Sequence, residues 1–232
     1  FLGGVITTVD ALNGSKTLNA HFESQKQVAV ADRIVITKTD LLKGGSSNKK
    51  LLRLRDCILK LNHLVPIIET QNPDFNPNQL FNTSLYSPDT KGTDVMRWLN
   101  SEAENIDPHH SHGHSQEHIH DISRHGSDIR SFTLTFDAPI DVENFATSME
   151  ALTMFHGSNL LRIKGMIKTK NRPGRPLVIH GVQHIFHEPI WLDAWPDSDE
   201  RTRIVFITKG IERQSLNDYF KAWLKQKDIL CS

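Results

Sequence analysis

The chain has 232 residues, of which 38% are hydrophobic, 7% aromatic and 23% charged, and its 27 basic side chains are balanced by 27 acidic ones. At roughly 100–200 residues per domain this is room for two small domains with cores of their own, and the mix is too apolar for a disordered chain. Zero formal charge supplies no general attraction to nucleic acid or to an anionic membrane, so neither partner is expected. No apolar run nears the roughly 18 residues that span a bilayer, and the start FLGGVITTVD lacks the layout of a signal peptide, so a cytoplasmic protein is expected. Cys57 and Cys231 form neither a disulfide framework nor a paired-cysteine metal site, and read as free thiols. The chain opens on Phe1 and soon enters a buried strand, which suggests a fragment of a longer protein.

The run VITTV from Val5 to Val9 is short, β-branched and closed by Asp10, the pattern of a buried strand. Leu18, Phe22, Gln25 and Ala29 recur at near-helical spacing and predict one helix. RIVIT, Arg33 to Thr37, is a second buried strand followed by KTDLL. Leu51, Leu54, Ile58 and Leu61 mark the apolar face of another helix, and Leu64 to Ile68 a third strand. This alternation predicts a parallel sheet with helices on both faces. The Asn- and Pro-rich text after Ile68 is loop with one helical turn at Asn78 to Phe81, and a helix carries Val95, Trp98 and Leu99. No apolar period survives from Ser101 to Ser127, which reads as a linker.

Beyond the linker, Phe132, Leu134 and Phe136 alternate with Ser131, Thr133 and Thr135, as in a strand wet on one face. Asp141 is placed to cap a helix with the stripe Val142, Phe145, Met149 and Leu152. Leu161, Ile163 and Ile167 alternate again, NRPG at Asn171 to Gly174 turns the chain, and strands follow at Leu177 to Phe186 and Arg203 to Thr208. A closing helix carries Leu216, Phe220 and Trp223. The order predicts a small α+β domain, an antiparallel sheet with two helices on one side.

The sharpest motif is Thr37-Lys38-Thr39-Asp40, at the carboxyl end of a strand in a doubly wound sheet, where such sheets bind ligands. In the T/N-K-x-D pattern a carboxylate accepts hydrogen bonds from guanine N1–H and its exocyclic amine, whereas adenine has no hydrogen on N1. Asp40 would then choose the base and Lys38 would lay its methylene stem along the ring. Thr37 completes the element. Neither DALNGSKT at Asp10 to Thr17 nor GGSSNKK at Gly44 to Lys50 has the glycine spacing of a phosphate-binding loop. The chain can read a base but shows no means of holding phosphates and magnesium.

VITTVDA, QVAVADRIVITKTDLL from Gln27 to Leu42, the histidine-rich linker, LLRIKG at Leu160 to Gly165 and RIVFITKG at Arg203 to Gly210, in that order, resemble the CobW-like GTPases. The resemblance covers nearly the whole chain. It implies the distal part of an incomplete P-loop α/β domain over residues 1–100, a linker over 101–128 and a CobW C-terminal α+β domain over 129–232. It also implies an intact protein that binds GTP with Mg2+ and uses hydrolysis to deliver zinc, or alternatively cobalt, to a client metalloprotein. Thr37, Lys38 and Asp40 match the family's guanine-specificity element. The Walker A loop, the magnesium-binding segments and the cysteine-rich metal motif have no counterpart here, so no catalytic residue is assigned and the chain alone is expected to be inactive.

Seven of the thirteen histidines, His109, His110, His112, His114, His118, His120 and His125, lie in the linker. Imidazoles on a flexible segment can gather around a divalent ion, with modest affinity because ordering the segment costs entropy. They could buffer or hand over metal, or simply be solvated. His180, His184 and His187 look like a second cluster, but on one strand residues four apart are about 13 Å distant, too far to share an ion. Arg162 and Lys164 share a strand face and could meet a partner or solvent. Residues near Glu69 to Gln71 could touch the base from its other side. Two rival readings remain open on sequence alone: a nucleotide-independent metal-binding scaffold, and a GTP-dependent regulator that moves no metal.

Overall fold

The computed structural model of the chain describes residues 4–42, 47–73, 75–81 and 128–225, and divides into two units, Phe1–Ser127 and Asp128–Ser232. The helix expected around Trp98 and the whole histidine-rich segment lie outside the described residues.

In the first unit, β1 (Ile6–Asp10), β2 (Arg33–Thr37) and β3 (Ile67–Glu69) form a parallel sheet in the order β1-β2-β3. Helices α1 (Gly14–Ala20), α2 (Phe22–Val30) and α3 (Ser47–Leu61) connect them. Val9, Ile34 and Ile36 bury one sheet face against Leu18, Val28, Leu54 and Ile58. On β1 the pleat alternates, with Thr7 and Val9 inside and Ile6 and Thr8 exposed. The one helix expected between the first strands is two. The chain extends at His21, with φ −129° and ψ 117°, and the buried Gln25 donates its Nε2 to the Leu18 carbonyl at 2.6 Å beside the break. Gly14 opens α1 against the sheet, where a Cβ would come within 2.6 Å of Val9 Cγ1 and 3.0 Å of Leu54 Cδ1. Asn62, just past α3, donates to the carbonyls of Val28, Ala29 and Ala31 at 3.1, 3.2 and 3.0 Å, closing the C-terminus of α2. The short α4 (Asn78–Phe81) sits where one helical turn is predicted.

The second unit runs β4 (Ile129–Phe136), α5 (Val142–His156), β5 (Leu160–Ile167), β6 (Leu177–Val182), β7 (Ile185–Phe186), β8 (Ile190–Trp191), β9 (Thr202–Lys209) and α6 (Arg213–Lys225). Its antiparallel sheet has the order β4-β9-β5-β6-β7, with β8 also pairing β6. Leu134, Ile163, Ile167, Ile204 and Phe206 pack against Phe145, Met149 and Leu152 of α5 and Leu216 and Phe220 of α6. Asp141 caps α5, its Oδ1 accepting from Asn144 N at 3.0 Å. The strand expected over Leu177–Phe186 is instead a hairpin. Gln183 adopts φ 56°, and β7 folds back so that a Cβ on Gly181 would meet Phe186 at 2.8 Å. Arg162, expected to face solvent or a partner, is 3% exposed.

Candidate functional site

Parallel pairing puts the carboxyl ends of β1 and β2 side by side, with Asp10 opposite Thr37, and the Ala11 N–H donates to the Thr37 carbonyl at 2.9 Å. Beyond Thr37 the backbone turns sharply. Lys38 takes the left-handed conformation, φ 61° and ψ 30°, before a single 3-10 turn over Thr39–Leu41. Such a conformation costs roughly 1–2 kcal/mol for a residue with a Cβ, and among the described residues only Lys38 and Gln183 show it outside glycine. Lys38 donates its Nζ to Asp10 Oδ2 at 2.7 Å. The other oxygen of Asp10 accepts from the backbone N–H of Leu12 at 2.7 Å and of Asn13 at 3.1 Å. The Lys38 hydrogen bond, more than any other influence, holds the Asp10 carboxyl below its ordinary value of 3.8.

Asp40 is exposed and, among the described residues, neither accepts a hydrogen bond nor joins an ion pair. Its two oxygens are available as acceptors, the chemistry that N1–H and the 2-amino group of guanine require. Thr37 Oγ1 lies 3.5 Å from the Val9 carbonyl, at the outer limit of a hydrogen bond, and tends to the strand end rather than to a ligand. The Thr39 hydroxyl, between the lysine and the aspartate, is buried without a hydrogen-bond partner, a rare state for a buried donor. Glu69, at the end of β3, is engaged by Arg55 Nη2 of α3, so the carboxylate expected near the base is tied to a helix. Asp10 was not singled out by the sequence as a functional residue. Its contact with Lys38 joins positions far apart in the chain, and the available signal was that both lie at carboxyl ends of strands that would pair in parallel.

His109, His110, His112, His114, His118 and His120, the predicted metal ligands, lie outside the described residues, as does His125. Among the described residues no group of three or more His, Cys, Asp or Glu side chains is placed to hold a metal ion. The hairpin brings the rings of His180 and His187 into a stack at 4.7 Å, not the separation of a single strand. His180 Nε2 lies 3.2 Å from Arg162 Nη2. A stacked pair does not converge two ring nitrogens on one point, so this contact is packing.

Residues 1–69 match the family model of the CobW/HypB/UreG nucleotide-binding domain, and residues 129–224 that of the cobalamin synthesis protein cobW C-terminal domain. The zinc chaperone YjiA of Escherichia coli (strain K12) is 29% identical over 219 residues, covering 94% of this chain and 60% of that protein. The crystal structure of Zn(II)-bound YjiA GTPase from E. coli is similar with a TM-score of 0.65 at 25% identity, over 97% of this chain and 62% of that one. A Zn(II)-bound triple mutant of YjiA matches to the same degree. The chain thus spans 60% of the length of this curated relative.

Proposed function

We propose, from the premise that the chain belongs to the CobW family and carries two of its domains, that it supplies the base-reading part of a GTP-hydrolysing metallochaperone. The exposed carboxylate of Asp40, unengaged among the described residues at the lip of a parallel sheet, carries the reading. It accepts from guanine N1–H and the 2-amino group, while the Lys38 stem covers a ring face and Thr37 ends the strand that presents them. The domain bounds stay as proposed above: 1–100 for the GTPase part, 101–128 for the linker and 129–232 for the C-terminal domain.

Magnesium and the phosphates find no matching residues here. The 232 residues hold no glycine-rich loop ending in lysine and serine or threonine, and the described residues offer no metal cluster. No hydrolytic step is therefore derived from this chain's side chains. Zinc is the proposed cargo, with cobalt the alternative, and a client metalloprotein the proposed recipient. The support is the similarity to the zinc chaperone YjiA. Histidines 109 to 120 are proposed to bind metal on its way. No helix of the described residues is long and apolar enough to cross a membrane, and a cytoplasmic protein is proposed.

The test is competition against fluorescent GDP on the full-length protein. Inosine diphosphate lacks the 2-amino group and loses one charge-assisted hydrogen bond, so it should bind about tenfold more weakly than GDP. ADP should compete more weakly still. Equal competition by ADP and GDP would contradict the reading.

A further inference from the structure

Lys38 could sweep a wide arc on its four-carbon stem, yet a base-covering lysine helps only if that stem lies in one place. Three observations fix it. The left-handed backbone at Lys38 sets the direction of departure. The 2.7 Å contact of its ammonium with Asp10 Oδ2 holds the far end. The Asp10 carboxylate is itself held by two backbone N–H groups of the turn after β1. The acceptor therefore belongs to the sheet's carboxyl edge and not to a loose side chain. Resting on the guanine-binding reading above, we propose that Asp10 is a positioning residue for nucleotide recognition: it anchors the Lys38 ammonium so that the lysine stem is set in place as a platform for the purine face.

Asp10 touches no base edge in this arrangement. It acts on any purine that lies on the platform and leaves the choice between purines to Asp40. Removing it should weaken guanine and hypoxanthine nucleotides by the same factor and preserve the ratio between them.

Asp10→Asn separates the roles, because an asparagine oxygen can still accept from Leu12 and Asn13 while the negative charge is lost. In the full-length protein, titrated with fluorescent GDP and fluorescent inosine diphosphate, this variant is expected to bind both about three- to fivefold more weakly, the scale of one partly exposed ion pair. Lys38→Met, which keeps an apolar stem and removes the ammonium, should weaken both at least as much. Asp10→Asn added to Lys38→Met should then change nothing further. Unchanged GDP affinity in Asp10→Asn would overturn the proposal. So would a loss that persists undiminished in the Lys38→Met background, since that marks a role in the turn alone, or a loss confined to GDP. Should Asp10→Asn fail to fold, GDP affinity unaltered by Lys38→Met would overturn it equally. A wild-type protein with no preference for GDP over ADP would remove the guanine reading itself. A clear preference with a flat response to Asp10→Asn removes only the positioning role.

Discussion

Single side chains close this structure where backbone groups would otherwise be stranded. Asn62 is 2% exposed, and one amide nitrogen serves three carbonyls at the end of α2. Asn62→Ala would take this donor from the Ala29 and Ala31 carbonyls in a dry setting, while the Val28 carbonyl keeps the Ala31 N–H at 3.3 Å, and buried acceptors without partners cost about 1–3 kcal/mol. We expect a loss of about 2 kcal/mol in urea unfolding of the chain; a change under 0.5 kcal/mol would show that water replaces the amide. Neither Asn62 nor Asp10 is marked by a local motif, Asp10 showing only its place at a strand end, and for the same reason. Each acts on residues roughly thirty positions away, through contacts that exist only once strand and helix ends are brought together. Thr37, Lys38 and Asp40 stand out as candidates in the sequence because they fall within one four-residue motif and their proposed chemistry is local. The left-handed backbone at Lys38 was not legible, since a lysine carries no sign of it.

At the scale of elements, periodicity located nearly every strand and helix described, and failed where a break depends on one backbone angle. The apolar period runs through His21 and through Gln183, but the chain bends at both. Neither position is a glycine or proline, so composition gave no punctuation. Helix α6 shows what the successful patterns meant. Phe220 is fully buried and its ring lies 5.8 to 6.2 Å from those of Phe136, Phe145 and Phe206, joining both helices to the sheet. Phe220→Ala removes that hub, and truncating a buried phenylalanine costs roughly 3–5 kcal/mol. Residues 128–225 should then lose cooperative unfolding near room temperature, seen as loss of near-ultraviolet circular dichroism from Tyr219 and the tryptophans. A variant destabilised by less than 1 kcal/mol would mean that the neighbouring rings collapse into the gap.

Across the whole molecule, each unit holds groups that tie its stability to pH. In the first, burial pushes the His63 imidazole below its ordinary 6.5. The unfolded chain then binds a proton that the folded chain refuses, so the stability His63 contributes is present above pH 6.5 and lost as pH falls through the folded value. In the second, Arg201 holds the Asp199 carboxyl below 3.8, and burial lifts the Tyr219 hydroxyl, which donates to the Ser148 carbonyl at 2.6 Å, above 10.0. Those contributions fade only in stronger acid and in alkali. Between pH 7 and 5 the first unit should weaken, and His63→Gln should flatten that slope; an unchanged slope would put the titration elsewhere. The guanine reading rests on a carboxylate left open at a sheet edge, and exchanging that carboxylate for an amide tests it most directly. In the full-length protein, Asp40→Asn keeps an oxygen for N1–H but sets an N–H against the second position, which clashes with the amino group of guanine and suits the carbonyl of xanthine. Competition binding should show the variant preferring xanthosine diphosphate to GDP, the reverse of wild type. A variant that keeps the wild-type order would contradict the account.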